Sequence, residues 1–264
     1  MTEDIPEEGV YLYCVARQGL REELGDIGIE GSSVYVLPFR DICAVVHRCP
    51  AEPYRSTDQE KAKMWVLAHQ YVLDLATERF GTVIPFSFDT ILRGGEPVME
   101  SWLKDEYSRL KGTLEQLRDR AEYGVQVYVD ESHIDKAISG NPEISTLREN
   151  LENKPRGTAY LLRRVLEHRI KPLRDLEAGA IAQEIHKGIA DFSEEVMLEK
   201  NDAPEKGKLM ILKLACLVKK ENLMPLGKFL GDVNGKDGLT VRFTGPWPPY
   251  SFVFTEESAK REQR

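Results

Sequence analysis

The chain has 264 residues, 41% of them hydrophobic and 30% charged, which is enough apolar material for one large or two ordinary globular domains. Its formal net charge is −8, and residues 1–31 alone carry eight acidic side chains against two arginines. Binding nucleic acid without sequence preference requires clustered Lys and Arg, so this charge distribution argues against that class of protein.

We expect neither a secretory signal nor a membrane span. Residues 1–4 are acidic where a signal peptide is basic, and the densest apolar run, Leu209–Val218, is too short to cross a bilayer. The cysteines show no CxxC spacing, and three of the four lie in apolar strand-like runs, so we expect free thiols in a reducing cytoplasm. They are Cys14, Cys43, Cys49 and Cys216.

The first part of the chain begins with strand-like patterns and then changes period. Short apolar runs predict strands over Val10–Ala16, Ser33–Leu37 and Ile42–His47, with a glycine-rich loop between the first two. Residues 58–79 instead repeat apolar residues every three or four positions, which predicts a helix with one buried face. That face comprises Met64, Leu67, Ala68, Tyr71, Val72, Leu75 and Ala76.

A glycine marks the end of this helix, and further elements follow it. Gly81 stands where a C-cap glycine is expected. Thr82–Phe88 then reads as a strand, residues 94–97 open a second helix, and Val125–Val129 alternates apolar and polar residues like a half-buried strand. The order of elements over residues 1–130 contains a β-α-β-β-α-β-like arrangement, which is the ferredoxin-like plan.

The second half opens with helices and returns to mixed structure. Residues 132–200 read as helical, with a stripe spaced by three and four that predicts a buried face: Ile181, Ile185, Ile189, Phe192 and Val196. A strand over Leu209–Val218, a helix over Glu221–Leu230 and a strand over Leu239–Phe243 follow. We therefore predict an α+β protein of two modified ferredoxin-like domains, residues 1–131 and 132–264, the second with added long helices.

The sequence contains none of the common catalytic or metal-binding motifs. The sequence contains no phosphate-binding GxxxxGK[ST] or GxGxxG, no GxSxG nucleophile elbow and no HExxH or CxxC metal spacing. Its five histidines are scattered, and we interpret His168 and His186 as helix-surface residues rather than metal ligands. An RNA-binding sheet would need exposed aromatics. Tyr11, Tyr13 and Tyr128 could supply them, but core or interface packing is the favoured interpretation.

The most informative stretch is Thr244–Val253, with the sequence TGPWPPYSFV. Three prolines in four positions remove three backbone donors and hold φ near −65°, so the segment cannot continue a central strand. Trp247, Tyr250 and Phe252 carry too much apolar surface for a solvated linker. The segment follows a predicted strand, and residues 252–254 resume a strand-like pattern. We therefore expect a self-docked bend in which Trp247 and Tyr250 pin the last turn onto the second domain.

Three stretches together resemble one family, the gas vesicle accessory proteins GvpF and GvpL. They are Tyr11–Tyr13, residues 79–86 (RFGTVIPF) and Thr244–Val253, and residues 154–162 are similar to a helix start of the family. The resemblance runs from about residue 10 to residue 254, with Cys14 standing where relatives often carry a small residue. The motif residues with a structural or interaction role are Arg79, Phe80, Gly81, Thr82, Pro85, Phe86, Thr244, Gly245, Pro246, Trp247, Pro248, Pro249 and Tyr250.

The resemblance implies a non-enzymatic accessory or minor structural protein of gas vesicle formation, located at the gas vesicle and in the cytoplasm. It implies two partners, the small apolar gas vesicle shell protein and other gas vesicle accessory proteins, with no cofactor, nucleic acid or membrane. The alternative is a ferredoxin-like ligand-binding or catalytic domain with an unrecognised site. For the motif around Gly81, we favour packing over direct partner contact, because a buried aromatic beside a cap glycine needs no functional explanation.

Overall fold

A computed structural model describes residues 7–152, 156–201 and 206–253. The described strands are β1 (Glu8–Ala16), β2 (Glu22–Gly25), β3 (Val34–Phe39), β4 (Ile42–Pro50), β5 (Val83–Pro85), β6 (Ile91–Arg93), β7 (Arg120–Asp130), β8 (Glu195–Leu198), β9 (Lys208–Lys219) and β10 (Leu239–Trp247). The described α-helices are α1 (Gln59–Phe80), α2 (Gly95–Gln116), α3 (Glu131–Ser139), α4 (Pro142–Glu152), α5 (Arg156–Ala190), α6 (Leu223–Asn234) and α7 (Tyr250–Val253). The predicted α+β class is confirmed. None of the described helices has the length and apolar character needed to cross a membrane.

The described chain divides into two compact units. The first consists of residues 7–122 and 246–253, and the second consists of residues 123–245. This division differs from the predicted domains, 1–131 and 132–264, at two places. Most of β7 falls in the second unit, and the last described residues belong to the first unit although they follow the final strand of the second.

The first unit is built on an antiparallel sheet with the strand order β2-β3-β4-β1-β5, and β6 also pairs with β1. Its core includes the side chains of β1, β3 and β4 together with the buried face of α1. Along the chain its elements follow as β1-β2-β3-β4-α1-β5-β6-α2, and the start of β7 and the short helix α7 complete the unit. The added strand β2 lies where a glycine-rich loop was predicted.

Local sequence signals explain both ends of α1. The Asp58 side chain accepts hydrogen bonds from the backbone N–H groups of Glu60 and Lys61 at 3.0 and 3.3 Å, which makes it the N-cap. At the other end, Gly81 takes a positive φ of 76° and donates its N–H to the Thr77 carbonyl at 2.9 Å. The predicted C-cap role of Gly81 is therefore confirmed.

The buried face of α1 differs from the predicted one. Its buried residues are Trp65, His69, Val72, Leu73 and Ala76. Three residues of the predicted face are exposed instead, namely Met64 at 63%, Leu67 at 51% and Tyr71 at 55%. The prediction was partly right, since Val72 and Ala76 of the predicted face are buried and Ala68 packs against the core. It missed the rest because α1 carries apolar side chains on two sides, and periodicity alone does not say which side meets the core.

The second unit contains a four-stranded sheet with the order β10-β7-β9-β8. When α3 and α4 are set aside, its elements follow as β7-α5-β8-β9-α6-β10. Its core includes Val129, Ile134 and Ala178, and Ile181 packs against this group. Helix α5 ends at Ala190, so Val196, predicted to continue the helical stripe, lies in β8 instead.

The last strand also runs further than predicted. Strand β10 extends past Phe243 to Trp247, and it accommodates Pro246 because it lies at an edge of the sheet. The residues after it form the short helix α7, where a strand-like pattern was predicted for residues 252–254. Residue 254 of that pattern and residues 154–155 of the resemblance to a helix start lie outside the described residues.

The thiols agree with the sequence prediction. All four cysteines are free, and Cys14, Cys43 and Cys216 are buried while Cys49 is half-buried. Burial raises the pKa of Cys43 to about 12 and the pKa of Cys49 to about 11. Cys43 and Cys49 are therefore protonated at neutral pH and pack as small apolar groups.

Candidate functional site

The first unit contains a buried cluster of aromatic and histidine side chains, formed where β1 and β4 meet α1. Tyr11 and Tyr13 point to the same face of β1, because successive strand residues alternate between the two faces, and both are fully buried. His47 of β4 is also fully buried, and His69 of α1 is nearly so. The rings of Tyr11 and His47 stack with centroids 4.9 Å apart and planes 15° from parallel.

A chain of hydrogen bonds runs through this cluster. The Asp89 backbone N–H donates to the Tyr11 hydroxyl at 3.0 Å, and that hydroxyl lies 2.9 Å from His69 Nδ1. On the far side of the ring, His69 Nε2 lies 3.2 Å from the Tyr250 hydroxyl. Each ring nitrogen of His69 thus faces one tyrosine hydroxyl, so in the neutral ring one nitrogen donates a hydrogen bond and the other accepts one. The chain thus joins β1, α1 and α7.

A second set of hydrogen bonds fixes the loop after β4 against the same cluster. His47 Nε2 lies 3.0 Å from the Tyr54 hydroxyl, and the Tyr54 N–H donates to Asp89 Oδ1 at 2.9 Å. His47 Nδ1 has no hydrogen-bond partner among the residues that the structure describes. The segment between β2 and β3 is held to the cluster as well, because the Ile29 N–H donates to the Tyr13 hydroxyl at 3.2 Å.

Burial governs the protonation of these groups. It lowers the pKa of His47 to about 4, because the charged imidazolium loses its hydration. Burial also lowers the pKa of His69 to about 4, and a hydrogen bond with the Phe86 backbone opposes that shift. The pKa values of Tyr11 and Tyr13 are raised, again chiefly by burial. At neutral pH the cluster is therefore uncharged, and its chemistry is that of hydrogen-bonded packing.

The motif over residues 79–86 contains the end of α1 and the whole of β5. Phe80 packs against the core of the first unit, and Pro85 is the last residue of β5, where it lies opposite Cys14 of β1. Phe86 is only 3% exposed and meets the Trp102 ring edge-on at 5.6 Å. Arg79 is exposed and forms an ion pair with Glu22, and Thr82 Oγ1 donates to the Leu117 carbonyl at 3.5 Å.

The motif over Thr244–Tyr250 is divided between the two units. Thr244 and Gly245 end the part of β10 that belongs to the second unit, and Gly245 takes a positive φ of 122° that favours glycine. The residues from Pro246 to Tyr250 belong to the first unit. Trp247 is 46% exposed, whereas Pro248 and Pro249 are buried.

The last turn docks onto the first unit and not, as we predicted, onto the second. Tyr250 packs against the same core as Phe80 and bonds to His69 through its hydroxyl. Glu122 holds the next residue by accepting the Ser251 N–H at Oε2 and the Ser251 hydroxyl at Oε1, both at 2.8 Å. Two motifs about 165 residues apart in the chain therefore meet in one core.

Burial of the candidate aromatic side chains argues against the RNA-binding alternative raised by the sequence. Tyr11, Tyr13 and Tyr128 are all buried, so none of them is available to stack an RNA base. Within the described ranges, no three His, Cys, Asp or Glu side chains lie where they could hold a metal ion. Sequence reasoning missed that His47 and His69 are both buried against Tyr11 and Tyr13. The available signal was the spacing of Trp65, His69, Val72 and Ala76, which places the histidine on an apolar face.

Comparisons with known proteins agree over nearly the whole chain. The model of the family described as gas vesicle synthesis protein GvpL/GvpF matches residues 9–254. Gas vesicle protein L1 of Halobacterium salinarum is 30% identical over 254 residues, which is 93% of this chain and 90% of that protein. Gas vesicle protein L of Haloferax mediterranei is 29% identical over 86% of this chain and 72% of its own length.

Solved structures show the same fold. The crystal structure of GvpF from Anabaena sp. PCC7120 superposes with a TM-score of 0.74 at 18% identity, covering 94% of this chain and 99% of that one. GvpF from Microcystis aeruginosa gives a TM-score of 0.65 over the same shares of both chains. With the family motifs joined in one core and the match extending over residues 9–254, the chain belongs to the GvpL/GvpF family of gas vesicle synthesis proteins.

Proposed function

We propose that this chain is a non-enzymatic accessory protein of gas vesicle formation that binds the small apolar shell protein, and other accessory proteins, during assembly. The observation that carries the proposal is membership of the GvpL/GvpF family over residues 9–254. A shell subunit with a water-repelling face requires shielding until it is incorporated, since exposed apolar patches drive aggregation. A folded accessory protein that covers this face would supply the shielding, at the vesicle and in the cytoplasm.

The buried chemistry of the first unit supports a role without catalysis. A general acid or base must reach the proton that it transfers, whereas His47 and His69 are buried and hydrogen-bonded to tyrosines within the core. The low pKa of each imidazole follows from that burial. These features favour a structural role for the histidines, and we propose that the protein works without a bound cofactor.

The family motifs are proposed to act mainly through packing. Phe86, Pro248 and Pro249 are buried, and Phe80 and Tyr250 share one core. A motif that assembles the first unit supports partner binding by shaping the unit and not by touching the partner. For the second unit, the order β7-α5-β8-β9-α6-β10 and the sheet order β10-β7-β9-β8 favour a modified ferredoxin-like plan with α3 and α4 added.

Two measurements test the function. The first is co-expression of the tagged chain with the shell protein of its own gas vesicle cluster, followed by affinity purification and mass spectrometry. We expect the shell protein to co-purify with the chain. The second is deletion of the gene in its host, where electron microscopy should show missing or malformed vesicles. Normal vesicles in the deletion strain, together with no recovery of the shell protein, would overturn the proposal.

A further inference from the structure

Helix α1 has a second apolar face, directed away from the core. Met64, Leu67 and Tyr71 follow one another at i, i+3 and i+7, which places them in one stripe along the helix. All three are more than half exposed. The buried residues Trp65, His69 and Val72 occupy the other side of the helix. A helix with apolar stripes on two sides is typical of one that packs against two surfaces, and only one of them is supplied by the described chain.

The small area of this stripe argues against a second copy of the chain as its partner. Its three exposed side chains present on the order of 300 Å² of apolar surface, against roughly 800 Å² per partner in a stable interface. A second copy of this chain seated only on the stripe would therefore be held weakly. Interfaces at the small end of the size range are those of transient contacts, which suits the capture and release of a subunit.

The two ends of the stripe differ in charge. At its C-terminal end, Asp74 and Glu78 are exposed, and the neighbouring Arg79 is engaged by Glu22. At its N-terminal end, the charges of Glu60 and Lys63 offset each other. A partner helix with a basic residue about one turn beyond its apolar residues would match the acidic end, and the match would fix the direction in which it lies.

The edges of the first sheet favour a helix over an added strand as the occupant. Strand β2 at one edge has four residues and carries Glu22 and Glu23, and β5 at the other has three residues and ends in Pro85. Short, charged or proline-bearing edges are those on which a further strand pairs poorly. Compared with these two edges, the α1 stripe is the better docking surface.

We propose that the stripe formed by Met64, Leu67 and Tyr71 is the docking site for an apolar helix of the gas vesicle shell subunit, with the basic end of that helix near Asp74 and Glu78. This inference rests on the proposed function, because it assigns a surface and a binding mode to the same partner. It places the contact on α1 of the first unit, in the helix-against-helix mode.

The test compares two double variants that make the same chemical change. Leu67→Glu with Tyr71→Glu places two charges in the stripe, whereas Leu176→Glu with Met224→Glu places them on exposed apolar residues of the second unit. The probe is the shell protein of the chain's own gas vesicle cluster, and its dissociation constant is measured for each variant. We expect the stripe variant to weaken binding at least tenfold and the control variant to change it less than twofold. Equal melting temperatures would show that both variants remain folded.

A charge-reversal variant separately tests the role of the acidic end of the stripe. Asp74→Lys with Glu78→Lys should weaken binding about tenfold at low salt, and this difference should shrink as salt screens it. If the stripe variant binds the shell protein as tightly as the unaltered chain, the docking site is wrong while the proposed function stands. If the unaltered chain does not bind the shell protein at all, the proposed function is wrong, and the docking site assigned to that partner is wrong with it. A dimer that the stripe variant dissociates in sedimentation would assign the stripe to a second copy and overturn the inference.

Discussion

The hydroxyl of Tyr250 lies 3.2 Å from Nε2 of His69, although 181 residues separate the two in the chain. Through this contact the last described turn completes the core of the first unit, which is therefore discontinuous in sequence. The same ring holds Tyr11 through Nδ1 at 2.9 Å. One neutral histidine thus ties the first strand, the first helix and the last turn together.

Removal of the Tyr250 hydroxyl should destabilise the first unit without unfolding it. Tyr250→Phe keeps the ring in the core but leaves Nε2 of His69 without this partner. We expect the free energy of unfolding to fall by about 1–3 kcal/mol, the range for a buried polar group that loses its hydrogen bond. Urea denaturation followed by far-UV circular dichroism measures the change.

Tyr71→Phe is the matched control, because it deletes the same hydroxyl from an exposed ring of α1. Surface substitutions of this kind usually change the free energy of unfolding by less than about 0.5 kcal/mol. Equal effects of Tyr250→Phe and Tyr71→Phe would mean that the contact with His69 does not stabilise the fold.

The two family motifs should differ in their sensitivity to truncation of an aromatic. Phe86 is buried beside Trp102, so we expect Phe86→Ala to cost about 3–5 kcal/mol of unfolding free energy. Trp247 is 46% exposed, so only about half of its side chain is buried. Trp247→Ala removes this smaller buried surface and should cost about 1–2 kcal/mol of unfolding free energy. Thermal or urea unfolding of both variants gives the comparison. A larger cost at Trp247 than at Phe86 would contradict the observed packing.

A pair of glycine-to-alanine changes separates backbone strain from helix propensity. Gly81 holds a positive φ of 76°, and an added methyl group would meet no other atom within 4 Å, so Gly81→Ala is opposed by the backbone conformation alone. We expect it to cost about 1–3 kcal/mol of unfolding free energy, the range for a residue held in a sparsely populated backbone conformation. Gly112 lies inside α2 with open space in the direction of a Cβ atom, so Gly112→Ala should stabilise by about 1 kcal/mol. Melting curves that shift in the same direction would contradict this interpretation.

The elements that sequence predicted well are those with local signals. Helix α1 was predicted over residues 58–79 and runs over Gln59–Phe80, because apolar periodicity and a cap glycine are properties of neighbouring residues. The strands containing Val10–Ala16 and Ile42–His47 were found for the same reason. Strand β2 was missed because its four residues, EELG, contain two glutamates and a glycine and carry no strand pattern.

The features that sequence missed depend on distant parts of the chain. Both sides of α1 are apolar, so only the position of β1 decides that Trp65 and His69 face the core while Met64 and Leu67 do not. The docking of Tyr250 onto the first unit likewise depends on a contact with His69 that no local pattern encodes. The exposed stripe of α1 and the discontinuity of the first unit are therefore both products of long-range packing.

Acid should destabilise the protein through its two buried histidines. Burial lowers the pKa of His47 and of His69 to about 4 in the folded chain, against about 6.5 in the unfolded chain. The unfolded state therefore binds more protons between these values, so stability is complete above pH 6.5 and is lost as the pH falls towards 4. At pH 5 each histidine should have reduced the free energy of unfolding by about 2 kcal/mol relative to pH 7.

Urea unfolding at pH 7, 6 and 5 measures this loss, and His69→Gln isolates one contribution to it. The variant should be less stable than the unaltered chain at pH 7, because the glutamine does not reproduce the contacts with Tyr11 and Tyr250. Its further loss between pH 7 and pH 5 should nevertheless be smaller by about 2 kcal/mol, since a neutral amide does not titrate. An equal loss in both proteins would show that protonation of His69 does not drive the acid sensitivity. It would also mean that this ring need not be neutral to hold the last turn in place.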